Sequence, residues 1–255
     1  MAIDDEKTYE GEVPLRYVFK RNEESKYLFV GFSGFSKPNE PAAYHMIWAL
    51  RNVDHNKLFI LDNYGVPSAV GTFYLGLNGD LQIARSVIGL IDEICSTEGI
   101  PRERVIACGT SKGGFAALYF AFRYGLGAVI AGSPPVLLGN YLFSHWIRMD
   151  IAAFITGGKN QGELDMLNSH MGNAIAECSR PPLVFLQVGR GEYYYWNHII
   201  PLEQMLRVKG FSYELELVDC EKHSDLGKFF TVFLDDKIAR ITSSTFSSSL
   251  PPAEE

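Results

Sequence analysis

Between residues 105 and 124 a short apolar run, Val105–Cys108, gives way to Gly109-Thr110-Ser111-Lys112-Gly113-Gly114, and then to apolar residues at helical spacing over Phe115–Tyr124. A buried strand that turns directly into a helix through glycines is the repeating unit of a layered α/β architecture. The surrounding chain keeps the same rhythm. Arg16–Lys20 and Lys26–Gly31 read as strands joined by the polar turn Arg21–Ser25, and Lys57–Leu61 is another short apolar run. Leu81–Cys95 has helical spacing, with Asn78-Gly79-Asp80 offering a cap before it. Gly127–Ala131, Leu183–Val188 and Tyr213–Val218 are further strands, and Ile199–Lys209 and Phe229–Ile241 are helical. Strands alternating with helices predict a mostly parallel sheet with helices on both faces.

One stretch breaks the pattern. Val136 to Arg180 offers no strand, only Trp, Met and Leu at loose helical spacing, so residues 136–180 are expected to form a helical lid insertion above the strand ends. The expected domain runs over residues 13–242, between a flexible N-terminus at 1–12 and a disordered tail rich in Ser, Pro and Glu at 243–255.

Composition narrows the function classes. Apolar residues make up 47% of the 255, enough for a sizeable core without disulfides or metal. Acidic residues outnumber basic ones 30 to 23, and the net charge of −7 argues against nucleic acid as a partner. No apolar run is long enough for a transmembrane segment, and the acidic start Asp4-Asp5-Glu6 is unlike a signal peptide. Cys95, Cys108, Cys178 and Cys220 form no C-x-x-C pair, so they read as reduced, partly buried thiols of a cytoplasmic protein, with no metal and no cofactor expected.

The glycine turn carries the chemistry. Gly109 to Gly113 fits G-x-S-x-G, and between a strand and a helix that pattern reads as a nucleophile elbow presenting Ser111 above the sheet. The rival, a phosphate-binding turn, lacks the G-x-x-x-x-G-K-[S/T] order because Lys112 follows Ser111 directly. A serine nucleophile needs a base and an acid to orient it, in the chain order serine, acid, histidine on loops after strands. Gly189-Arg190-Gly191-Glu192 follows one strand, and Asp219-Cys220-Glu221-Lys222-His223 follows the next. Glu192 is therefore the candidate acid, with Asp219 or Asp225 as substitutes, and His223 is the candidate base, with His198 as competitor.

Donors for a developing oxyanion are expected from the backbone of Lys112 and from the loop Phe32-Ser33-Gly34-Phe35-Ser36, chiefly Ser33 and Gly34. Phe35, Tyr194, Trp196 and His198 are the candidate substrate contacts, and aromatic faces at Tyr193–Trp196 could stack on sugars or simply support the lid. The Lys112 side chain reads either as a charge for substrate or as a salt bridge orienting the elbow. Asp62, at a strand end, reads as a loop cap or a site contact.

With these residues the sequence resembles the α/β-hydrolase superfamily over roughly residues 13 to 241. Gly109–Tyr124, Ala131-Gly132-Ser133-Pro134, Gly139-Asn140-Tyr141-Leu142, Gly191–His198 and His223-Ser224-Asp225 resemble more closely bacterial proteins of accessory Sec secretion and capsule biosynthesis. That resemblance implies O-acetyl transfer to sugars on exported glycoproteins by a serine, a glutamate and a histidine, which match Ser111, Glu192 and His223. It also implies partner proteins in a glycan or secretion pathway. The function expected is a serine esterase or O-acyltransferase acting on a small acyl ester or acylated carbohydrate. The alternative is a noncatalytic binding or assembly subunit that keeps the fold.

Overall fold

A computed structural model describes residues 5–36, 40–66 and 69–243. In chain order the elements are β1 (Glu6–Glu10), β2 (Pro14–Lys20), β3 (Leu28–Phe32), α1 (Met46–Ala49), β4 (Asn56–Ile60), β5 (Gly65–Val66), β6 (Ala69–Val70), α2 (Gln82–Glu98), β7 (Val105–Thr110) and α3 (Lys112–Tyr124). They continue with β8 (Ala128–Gly132), α4 (Leu138–Phe143), α5 (Trp146–Thr156), α6 (Gln161–Glu177), β9 (Leu183–Gly189), α7 (Ile200–Lys209), β10 (Glu214–Val218) and α8 (Leu226–Thr242). Eight strands form one sheet in the order β1-β2-β4-β3-β7-β8-β9-β10. The pairs β1–β2 and β2–β4 are antiparallel, and every later pair is parallel.

The side-chain alternation of a strand divides the core between the two faces of this sheet. Leu28, Val30, Val105 and Ala107 join one cluster with Ile83, Phe115, Phe120, Ile151 and Leu167. Phe29, Ile106, Cys108 and Ile130 join the other with Met46, Leu50, Phe230, Phe233 and Leu234. Helices α2 and α3 therefore cover one face and α1 and α8 the other, while the segment 136–180 packs outside α3 and against β5 and β6. That segment holds α4, α5 and α6 and no strand. No helix among the described residues is long and apolar enough to cross a membrane.

Parallel register sets the site. Phe32 of β3 lies opposite Gly109 of β7, Thr110 opposite Gly132 of β8, and Val218 of β10 opposite Gly189 of β9. The loops after these strands consequently emerge together at one edge, where ligands of α/β sheets bind.

Two expectations, for residues 5–12 and for Asn78-Gly79-Asp80, need correction. Residues 5–12 are not a loose end, because β1 pairs with β2 along its length. Glu6 is held by Arg16 and by the Tyr44 hydroxyl at 2.7 Å, and Tyr9 packs on the core; such long-range partners are invisible in a local reading of polar residues. Residues 1–4 and the tail beyond Ser243 lie outside the described residues. Strands β2 and β3 follow each other in sequence but are not neighbours, since β4 inserts between them. Finally, Asn78-Gly79-Asp80 does not cap α2, which begins after Leu81. The amides of Asn78 and Gly79 instead donate to Phe154 and Ile155 carbonyls at 3.0 and 2.7 Å, tying this turn to α5.

Candidate active site

Strand β7 ends at Thr110, and Ser111 makes the turn into α3 with φ +53° and ψ −121°. Positive φ in a residue with a side chain is strained by roughly 1–3 kcal/mol, a feature concentrated at functional sites. The turn is held by the Ser111 amide donating to the Gly132 carbonyl at 2.8 Å. The two glycines of G-x-S-x-G are steric requirements. A Cβ on Gly109 would stand 2.4 Å from the Gly113 backbone, and one on Gly113 would stand 2.1 Å from the Phe32 carbonyl oxygen. Only bare backbone lets the elbow nest against the end of β3. Lys112 is the first residue of α3, so its N–H has no intrahelical acceptor and points from the helix N-terminus beside Ser111.

Glu192 and His223, the candidate acid and base, come from adjacent loops laced together by backbone. Arg190 N–H donates to Val218 at 2.9 Å and Gly191 N–H to Cys220 at 3.2 Å. This brings Glu192 Oε2 within 2.7 Å of His223 Nδ1. The other oxygen of Glu192 accepts from Gly189 N–H and the Ser133 hydroxyl, both at 2.8 Å. Burial works to raise the Glu192 carboxyl, but the hydrogen bonds from His223, Gly189 and Ser133 outweigh it and hold the group below the usual carboxylate range. Asp219 faces Arg190 and Asp225 faces Lys228, so neither substitute is turned to His223. Tyr194 stands beside these groups: its ring stacks on His223 with centroids 4.2 Å apart and lies 6.0 Å from the Tyr141 ring, and its phenol is close enough to Ser111 to feel it.

On the opposite side of Ser111, the Lys112 side chain is buried. Its Nζ donates to Asp62 Oδ2 at 2.7 Å and lies over the Tyr74 ring. Burial lowers the Lys112 ammonium, with Asp62 opposing that shift. Of the two roles open in the sequence, the structure therefore gives Lys112 the salt bridge. Asp62 also accepts from the Thr72 amide at 2.8 Å and the Thr72 hydroxyl at 2.9 Å. That anchors a turn in which the buried Phe73 and Tyr74 both take positive φ. The turn delivers the Tyr74 hydroxyl to Ser33 N–H at 2.8 Å and to the Ile60 carbonyl at 3.0 Å.

This corrects the oxyanion assignment. The Ser33 amide is already committed to Tyr74, 41 positions away, and cannot also serve a substrate. Gly34 stays next to the elbow, the place of its Cβ 3.8 Å from the Thr110 carbonyl. Phe35 packs against Phe73 and approaches Lys112 Nζ at 5.5 Å, so it lines this flank.

The remaining expected contacts divide. His198 is buried, its ring among Tyr141, Tyr193 and Tyr194, and its Nδ1 accepts from Leu137 N–H at 3.3 Å. Burial pushes it down to about 4, and Nε2 has no partner. A neutral, enclosed ring is no competitor for the base. Trp196 is exposed and packs on Tyr195 within the wide turn Tyr195–Ile199. Ser133 and Tyr141 were given no role on sequence. Both lie in segments that carry the family resemblance, but their functions depend on what other loops bring to them.

A family profile described as the accessory Sec system GspB-transporter matches residues 11–177. The chain belongs to that family. Among solved structures, this accessory Sec family member is similar to the capsule O-acetyltransferase of Neisseria meningitidis serogroup A, at 20% identity over 91% of this chain and 93% of that chain, with a TM-score of 0.77. That enzyme has also been solved in complex with CoA. The Glycosylation Associate Protein (Gap123) complex of Streptococcus agalactiae is similar at 18% identity over 93% of this chain and 47% of that chain, TM-score 0.76. The fluorophosphonate-binding serine hydrolase F of Staphylococcus aureus follows at 13% identity over 91% and 97%, TM-score 0.67. No curated protein matches this chain. The fold is an α/β-hydrolase fold, and its structural neighbours include an acetyltransferase and serine hydrolases.

Proposed function

We propose that this accessory Sec family member is a serine acyltransferase or esterase that moves a small acyl group, with carbohydrate O-acetyl groups as the expected class. The observation that carries the reading is one connected set. His223 is paired at 2.7 Å with a buried carboxylate and stacked under Tyr194, and Ser111 stands at positive φ on a turn pinned to Gly132, at the same edge of the sheet.

In this reaction Ser111 Oγ attacks the acyl carbonyl carbon as its proton passes to His223 Nε2. Glu192, bound to Nδ1–H, fixes that tautomer and stabilises the imidazolium. The C=O pair moves onto oxygen, where Lys112 N–H and Gly34 N–H are the proposed donors. Collapse expels the leaving group with the proton from His223 and leaves an acyl-serine. Water or a sugar hydroxyl then gives its proton to His223, attacks the ester and releases Ser111. A thioester donor fits the first half as well as an oxygen ester, in keeping with the CoA complex of the capsule enzyme.

A fluorophosphonate should label the folded protein once, at Ser111. Ser111→Ala should lose the label and roughly 10³–10⁶-fold of turnover on p-nitrophenyl acetate or acetylated sugars, measured with and without sugar acceptor. Equal labelling of the Ala variant overturns the assignment. Family membership favours a second reading, a noncatalytic subunit of a secretion assembly; a folded wild-type protein that takes no label at Ser111 would support it.

A further inference from the structure

Arg148, in the first turn of α5, holds a charge at this site that no carboxylate among the described residues neutralises. Its guanidinium lies over the Tyr141 ring, Cζ 4.2 Å from the centroid, and Nη1 donates to Ser144 Oγ at 3.1 Å. The Tyr141 ring is 6.0 Å from that of Tyr194, which stacks on His223. The cation is thus two aromatic rings away from the proposed base.

Its isolation is specific. Among the described residues, nine of the twelve arginines pair with a carboxylate, the exceptions being Arg51, Arg104 and Arg148. Arg51 sits on Trp48 and Arg104 faces Tyr27, both remote from Ser111 in the fold. Lys112, the other cation beside the serine, is neutralised by Asp62. A protein of net charge −7 repels anions as a whole, so an anionic ligand needs a local cation to hold it. With one face on Tyr141 and Nη1 on Ser144, the guanidinium is oriented in advance and keeps its Nε–Nη2 edge for two oxygens.

We propose that Arg148 is a subsite for an anionic oxygen group, phosphate or carboxylate, carried by the acyl donor or the sugar acceptor that meets Ser111. The inference rests on the acyl-transfer reading of that serine, but its test needs no turnover. Calorimetry should compare CoA with neutral pantetheine, for the donor as source, and glucuronate with glucose, for the acceptor. In the wild-type protein at least one anion should bind tenfold or more tightly than its neutral counterpart, weakening with added salt. Arg148→Gln should erase that preference while the neutral ligand's affinity holds, and Arg148→Lys should restore part of it. The anion that shows the preference identifies the source. The proposal is overturned if neither anion is preferred, or if Arg148→Gln weakens charged and neutral ligands alike, which marks a packing role. Fluorophosphonate labelling of Ser111 reports separately on the catalytic reading.

Discussion

Two buried carboxylates flank Ser111, each paired with a nitrogen base, and the pairs differ in what water can reach. On one side Lys112 and Asp62 are 2% and 0% exposed; on the other Glu192 is 1% exposed but His223 is 35% exposed. Both carboxylates are buried and saturated with hydrogen bonds. Only the histidine pair leaves one partner open to exchange a proton. The enclosed pair acts as a clamp, joining the residue after Ser111 to the turn that carries Tyr74 and hence to the loop after β3. Breaking a buried pair leaves an uncompensated charge, so its value lies in fixing geometry more than in adding net stability.

If the two pairs differ in this way, their variants should fail differently. Glu192→Gln should reduce turnover by about 10²–10⁴-fold with little change in KM, because it keeps the shape and removes the charge that stabilises imidazolium. Asp219→Asn and Asp225→Asn, measured beside it on one substrate, should stay near wild type. Collapse in either, with a normal Glu192→Gln, would reassign the acid. Asp62→Asn should act first on stability, costing about 3–5 kcal/mol in denaturant unfolding by stranding Lys112. Adding Lys112→Met should recover part of that loss, since no charge is then left unpaired. If the double variant is as unstable as the sum of the singles, the two residues are not coupled and the clamp is wrong.

The smallest effect contrasts two histidines. His198 is enclosed and pushed down to about 4, whereas His223 is partly open. Below pH 6.5 the unfolded chain binds a proton at position 198 that the folded chain refuses until about pH 4. Stability is therefore complete above pH 6.5 and falls as the pH drops toward 4, by about 2 kcal/mol from this group between pH 7 and 5. His198→Asn, which can still accept from Leu137, should flatten that slope in thermal unfolding. Parallel slopes for variant and wild type would remove His198 as the cause.

Legibility in the sequence followed the range of the interaction. The strand–glycine–helix unit, the order of serine, acid and histidine, and the strandless segment 136–180 are all local or ordinal features, and the structure brings Glu192 and His223 together as that order suggests. The strand β1 went unread because its five residues, EKTYE, are polar on their own account and pair only through β2. Ser33 was misassigned because whether an amide is free depends on a tyrosine that arrives from a distant turn.

What the sequence alone determined is therefore the architecture and the identity of the candidate chemical groups. Hydrophobic periodicity and glycine placement act over a few residues and are written in the chain directly. Only the tertiary structure decided which polar atoms are already satisfied and which remain available. It committed Lys112 to Asp62, Ser33 to Tyr74 and Ser133 to Glu192, and among the described residues it left Arg148 over Tyr141 without a carboxylate. The reason is physical: a buried polar group takes whichever partner packing brings within about 3 Å, and that choice is made between segments far apart in sequence.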